Sequence, residues 1–164
     1  MSSADKNLSL SEGLPVPDAK AYRFGIVYSG WNMNVTGALK DGAYRTLVSN
    51  GALPENIVIR EVPGSFELTL GALYLAEFGN VDAIICLGCV IQGETRHFEF
   101  ICNAVAQGIT DLNIKYHKPV IFGVLTTDTK QQALDRAGGL HGNKGDEAAT
   151  TAIKMVALRK SFPL

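Results

Sequence analysis

"DAIICLGCVI", residues 82–91, is the stretch on which the reading of the fold turns. Asp82 opens it, Gln92 and Gly93 close it, and every residue between is apolar or glycine. A strand with one wet face alternates apolar and polar residues. A short run with no polar position suits a strand covered on both faces. Such strands belong to parallel sheets with helices on either side. The run also contains Cys86 and Cys89 at CxxC spacing. On a strand, residues three apart point to opposite faces, so these thiols cannot share a metal ion. A thioredoxin-type pair would open a helix instead. Both cysteines are expected to be buried and free.

The neighbouring segments carry the same alternation of strand and helix. "YRFGIVYS" (22–29), "NIVIREV" (56–62) and "KPVIFGVLT" (118–126) read as three further strands. Residues 34–49 read as a helix with Val35, Leu39, Ala43 and Leu47 on one side, and 65–78 as a helix apolar on most faces. After the central run, Phe98, Ile101, Cys102, Val105, Ile109 and Leu112 recur at the three-and-four spacing of a core-facing stripe. Asp128 with Gln131 is the expected cap of a short helix over 129–137 that stops at Gly138–Gly139. Asn143 is the expected cap of a last helix, 144–160. The fold class that follows is α/β: a three-layer sandwich with a central four-stranded parallel sheet, helices on both faces and right-handed crossovers.

The chain has 164 residues, 46% of them hydrophobic, with a formal net charge of −1. That length suits one domain, and the near-neutral charge argues against a nucleic-acid binder, which needs a basic surface. No apolar run approaches a membrane span. Residues 1–20 lack the apolar middle of a secretory signal and read as a flexible polar arm ending near Pro15 and Pro17. Residues 21–164 then form the single domain. Three cysteines, an odd number, argue against a disulfide framework and for a reducing compartment, the cytoplasm.

In open parallel sheets the ligand site lies outside the carboxyl ends of the strands. The first strand ends in "SGWNMN", the second in "VPGSFE", the third in "GCVIQGETRH" and the fourth in "VLTTDT". Trp31 serves either as an ordinary core or rim aromatic or as a stacking platform for a flat ring. Pro63, Gly64 and Ser65 read as a strand-to-helix turn, with Ser65 as cap, or as a loop aiming N–H groups at a ligand. Gly93, Glu94 and Thr95 precede a helix, whose positive end makes an anion site suited to phosphate, with the Glu94 carboxylate turned outward. His97 falls in that helix's first turn, where the dipole opposes a second positive charge and suits a neutral proton-transfer base. The bland alternative is that His97 only closes a helix start. Arg136 and Lys144 flank a glycine-rich loop, "DRAGGLHGNKG", with no acidic residue between them, which suits a bidentate grip on phosphate by Arg136. His117 and His141 have no ligand-spaced partners and read as surface or loop residues.

Together "VPGSFEL", "GCVIQGETRHFEFI", "PVIFGVLTTDT" and "DRAG…GNKG.EAA" resemble the lumazine synthase family of riboflavin biosynthesis, in order and spacing, from about Tyr22 to Leu158. The resemblance implies a flavodoxin-like topology. It implies condensation of 5-amino-6-(D-ribitylamino)uracil with 3,4-dihydroxy-2-butanone 4-phosphate, giving 6,7-dimethyl-8-ribityllumazine, phosphate and water, without metal or redox cofactor. By the same resemblance Trp31 stacks on the pyrimidine. Ser65, Phe66 and Glu67, with the backbone around Cys89, Val90 and Ile91, hold the ribityl chain and ring edge. Gly93, Glu94, Thr95 and Arg136 bind the phosphate substrate, His97 transfers protons, Phe122 arrives from a neighbouring subunit and Lys144 approaches the ribityl end. Two departures are mild: Gln92 stands where a basic residue is common, and Asp146 where an aromatic or alanine is common. The family forms homo-pentamers with sites between adjacent subunits, and some members build icosahedral shells of sixty chains. "RAGGLHGNKG" lacks the insertion of many members that stop at the pentamer, so a shell is compatible with it. Riboflavin synthase is the pathway partner the resemblance suggests. Rival readings are a non-catalytic flavin- or pterin-binding protein or shell-forming scaffold on this fold, and a flavodoxin-like electron carrier. His97 and Arg136 together favour the enzyme over a pure binder. "SGWNMN" lacks the hydroxyl-rich phosphate loop the carrier needs.

Overall fold

The computed structural model describes residues 15–163. Its elements alternate as β1 (Phe24–Ser29), α1 (Met33–Ser49), β2 (Ile57–Val62), α2 (Leu68–Phe78), β3 (Ala83–Ile91), α3 (His97–Tyr116) and β4 (Val120–Thr127). They continue as α4 (Lys130–Asp135), β5 (Ala137–Gly139), β6 (Gly142–Asn143) and α5 (Lys144–Ser161). The four long strands form one parallel sheet in the order β2-β1-β3-β4, the flavodoxin-like order expected. Strand order reverses between β1 and β3, and the crevice for a ligand opens there, at the strands' carboxyl ends.

The opening run is the middle of this sheet. Ala83 to Cys89 are all buried, because β3 has a strand on each side and helices above and below. Alternation sends Ile85, Leu87 and Cys89 into one core layer with Leu39, Ala43, Leu47, Ala149 and Ile153, on the side of α1 and α5. Ile84 and Cys86 enter the other with Leu68, Ala72, Val105 and Ile109, on the side of α2 and α3. Cys86 and Cys89 therefore sit in separate cores, both as free thiols. Burial raises both, Cys89 to about 11. Of the expected α3 stripe, Val105, Ile109 and Leu112 are buried, while Phe98, Ile101 and Cys102 nearer the site are half-covered.

Several boundaries move. The first strand begins at Phe24 rather than residue 22, and α2 begins at Leu68 rather than 65. The cap of α4 is one residue later than read. Thr129 Oγ1 accepts from Gln132 N at 3.2 Å, while Asp128 N donates to Gln132 Oε1 at 2.9 Å. Gln131 instead donates to Asp135 at 2.8 Å. Helix α4 stops at Asp135, and Gly138 and Gly139 lie in a small antiparallel hairpin, not a plain helix terminator. Gly138 (φ 107°) and Gly142 (φ 82°) give that hairpin backbone angles that residues with a Cβ rarely adopt.

Asn143 caps α5 as read, and does more. Its Oδ1 accepts from Gly145 N at 2.8 Å, and its Nδ2 donates to Ala38 O of α1 at 3.0 Å. Gly42 of α1 leaves room for this amide: a Cβ there would lie 2.6 Å from Asn143 Nδ2. Residues 1–14 of the expected arm lie outside the described residues. Of its last residues, Ala19 is fully buried and its N–H donates to Asn50 O at 2.8 Å.

Candidate active site

At the reversal of strand order, three loops are tied together by two backbone hydrogen bonds and one side-chain amide. Gly30 N donates to Val62 O at 2.8 Å and Trp31 N to Pro63 O at 3.2 Å, which binds the loop after β1 to the end of β2. Asn32 occupies the left-handed region (φ 59°), which asparagine tolerates better than most residues. Its Nδ2 reaches across to Cys89 O at 3.2 Å, joining the same loop to the end of β3. Its carbonyl accepts from Val35 N and Thr36 N and so starts α1.

These ties shape a cleft of about 590 Å³ that holds most of the expected pyrimidine side. Trp31, Ser65, Phe66 and Glu67 line it from the first two loops. Cys89, Val90 and Ile91 line it from the end of β3, and His97 with Ile101 from the start of α3. Trp31 is 74% exposed, so it is not a core residue; its ring is presented at the mouth. Phe66 is 55% exposed beside it. Two aromatic faces over a largely apolar floor suit a flat heterocycle, and Glu67 adds a carboxylate for polar groups at its edge.

Ser65 does not cap α2. Its carbonyl accepts from Leu68 N at 3.2 Å, but its buried hydroxyl has no hydrogen-bond partner. His97 is the first residue of α3 and is exposed at the cleft. Thr95 Oγ1 receives His97 N at 3.4 Å, so the threonine meets the first helical N–H from one position before the cap, Arg96. Gly93, Glu94 and Thr95 are exposed and lie outside the cleft lining, with Glu94 facing solvent as read. Gln92 anchors the start of this loop, its N–H on Thr127 O at 2.8 Å and its Nε2 on Gly93 O at 2.7 Å.

The remaining expected residues lie elsewhere in the chain. Phe122, Arg136 and Lys144 line a second cleft of about 650 Å³ beside β4, the edge strand, between it and α4 and α5. Arg136 is the C-cap of α4, its Nη1 on Gln132 O at 3.1 Å, and its carbonyl accepts from Lys144 N at 2.8 Å. Lys144 Nζ pairs with Glu147 Oε1 at 2.6 Å. The aromatic cleft thus contains the imidazole and no lysine or arginine, whereas the second contains the cations and no histidine.

Gly64 lines the first cleft as part of the loop read as aiming N–H groups at a ligand, and Asn32 and Ile101 line it without having been singled out as site residues. An asparagine next to the tryptophan in a strand-to-helix turn was a signal for a left-handed cap residue. Ile101 looked like core because it falls on the apolar stripe of α3. Asp146, the second departure, accepts from Thr46 Oγ1 at 3.2 Å, a contact that links α5 to α1. Among the described residues no cluster of histidine, cysteine and carboxylate side chains could hold a metal ion, and no helix is long and apolar enough to cross a membrane.

The sheet order and the cleft at its reversal define an α/β protein with an aromatic-lined cleft at its strand ends, of a shape that suits a small flat ligand. Residues 21–160 match the model of the 6,7-dimethyl-8-ribityllumazine synthase family. A protein of that name from Cytophaga hutchinsonii is 62% identical over 157 residues, covering 96% of this chain and 98% of the relative. One from Parabacteroides distasonis is 58% identical over 156 residues, covering 95% and 98%. One from Flavobacterium psychrophilum is 52% identical over 164 residues, covering 100% and 87%. The chain belongs to the 6,7-dimethyl-8-ribityllumazine synthase family.

Proposed function

We propose that this protein is a transferase of riboflavin biosynthesis. It condenses 5-amino-6-(D-ribitylamino)uracil with 3,4-dihydroxy-2-butanone 4-phosphate to give 6,7-dimethyl-8-ribityllumazine, phosphate and water. The observation that carries this reading is the cleft at the strand reversal, which Trp31, Phe66 and His97 line together with the end of β3. The pyrimidine stacks on Trp31, while Ser65, Glu67 and the backbone of Cys89 to Ile91 hold its edge and ribityl chain.

The chemistry asks for proton transfer and orientation more than for a strong nucleophile. The amine attacks the ketone and one water leaves to form an imine, phosphate departs by elimination, and ring closure expels a second water. A histidine held at the first turn of α3 moves protons in these steps, and a rigid cleft supplies orientation. Gly93, Glu94 and Thr95 cradle the phosphate substrate beside it, and Arg136 grips the phosphate.

Division of the functional groups between two clefts favours a site completed by a second subunit, whose Phe122, Arg136 and Lys144 face the first subunit's Trp31 and His97. A homo-pentamer in the cytoplasm is the assembly we propose. The ungapped "RAGGLHGNKG" segment permits a further shell of such pentamers, and riboflavin synthase is the enzyme that would consume the product. Expression in a bacterium lacking its own lumazine synthase tests the function. Growth without added riboflavin is the expected result, and continued dependence on riboflavin despite soluble expression overturns the proposal.

A further inference from the structure

In the second cleft the two cations are partly engaged within the chain. Lys144 Nζ is tied to Glu147 Oε1 at 2.6 Å, and Arg136 Nη1 already donates to Gln132 O at 3.1 Å. A phosphate monoester carries a charge of about −1.5 to −2 and three strongly accepting oxygens, and a guanidinium fork meets two of them at once. The remaining oxygen calls for another donor. Gln132 lines this cleft with Arg136, and the two stand four residues apart along α4 and its cap, on one side of the helix.

Gln132 is held at two points. Its N–H donates to Thr129 Oγ1 at 3.2 Å, and its Oε1 accepts from Asp128 N at 2.9 Å. Only the oxygen of an amide accepts, so Asp128 N fixes which end of the side chain is which. Nε2 is thereby turned away from Asp128 N, and among the described residues nothing accepts from it. The neighbouring Gln131 is a contrast: it is exposed, lies outside the cleft lining and donates its Nε2 to Asp135 Oδ1 at 2.8 Å. We propose that Gln132 is a second phosphate-binding residue, its Nε2 donating to an oxygen of the butanone phosphate beside the Arg136 guanidinium. The oxygen of the amide holds the loop after β4 and the nitrogen holds the ligand. The two tasks fall on opposite ends of one side chain, so substitution separates them.

The proposal rests on the assignment of the phosphate substrate to Arg136, and the test keeps the two apart. The assembled protein is titrated calorimetrically with inorganic phosphate, and KM is measured for each substrate. Gln132→Met removes both ends of the amide; it weakens phosphate binding about tenfold and raises the butanone phosphate KM alike, with the pyrimidine KM unchanged. Gln132→Glu keeps an acceptor for Asp128 N but replaces the donor by a negative oxygen. It holds the Tm of the parent and loses at least as much phosphate affinity. A direct contact also survives in an Arg136→Ala background, where Gln132→Met still weakens binding by a similar factor. Gln131→Met binds phosphate as the parent does. Parent-like binding by Gln132→Glu makes the residue a cap alone and overturns the proposal, and so does parent-like binding by Gln132→Met. Disappearance of the Gln132→Met loss in the Arg136→Ala background reduces Gln132 to a support for Arg136 and overturns it too. A parent that binds no phosphate overturns both assignments. Equal binding by Arg136→Ala and the parent removes the Arg136 role, and absence of lumazine formation removes the proposed reaction. In these last two cases the Gln132 series still decides whether this side chain binds phosphate.

Discussion

Replacing Asn143 by alanine strikes the residue that joins the two helices on one face and supports the second cleft. The substitution removes the acceptor for Gly145 N at 2.8 Å, an N-cap bond worth about 1 kcal/mol. It also removes the donor to Ala38 O at 3.0 Å, a further ~1 kcal/mol. Asn143 is 4% exposed and its amide fills the space over Gly42, so truncation leaves a small void that adds about 0.5–1 kcal/mol. The total is about 2.5–3 kcal/mol. At about 2–4 °C per kcal/mol for a chain of this length, the Tm should fall by roughly 5–10 °C in a calorimetric scan of the intact assembly. Asn143→Ser retains a capping oxygen but cannot reach Ala38, and should lose about half as much. Because Asn143 ends the hairpin and directly precedes Lys144, the alanine variant should also raise KM for the phosphate substrate more than for the pyrimidine. A Tm within 1–2 °C of the parent, against this ledger, would refute the reasoning.

Other outcomes follow from the clefts and the core. His97→Ala should slow lumazine formation by about ten- to hundredfold at saturating substrates. It should leave the Tm and assembly unchanged, because the side chain is exposed. Arg136→Ala should weaken butanone phosphate binding by at least about tenfold and pyrimidine binding far less, as measured by titration of each; equal losses would remove its phosphate role. Cys86 and Cys89 should resist thiol reagents in the native protein near pH 8 and react on unfolding. Burial holds the Cys89 thiol neutral up to about 11, above its value in the unfolded chain, about 8.5. The folded state therefore binds the proton more tightly, and this contribution is fully present below about pH 8.5 and is lost as pH rises toward 11. Denaturation midpoints measured from pH 8 to 11 should decline, and a Cys89→Ala variant should decline less steeply.

The sheet was legible because burial on both faces leaves a local mark. The unbroken run from Ala83 to Ile91 shows it directly, and the helix stripe through Val105, Ile109 and Leu112 shows it by period. Strand ends were legible as places for a ligand because parallel topology carries that rule with it. Three features were not. The hairpin of Ala137–Gly139 with Gly142–Asn143 has too few residues for any period, and its glycines look the same in a helix stop. The cap of α4 was misplaced by one residue because Asp128 and Thr129 are both good caps, and the choice depends on which one Gln132 reaches. The separation of His97 from Arg136 depends on tertiary placement, since each lies at a helix end in its own loop and no spacing in the chain measures the gap between the clefts.

Steady-state synthesis tests the central claim most directly. The purified protein is mixed with 5-amino-6-(D-ribitylamino)uracil and 3,4-dihydroxy-2-butanone 4-phosphate, lumazine is followed by absorbance and fluorescence, and released phosphate is measured in parallel. The account predicts formation well above the uncatalysed rate, with one phosphate released for each lumazine and saturation in both substrates. A rate no higher than that of the two substrates alone, from protein that is folded and assembled, would contradict it.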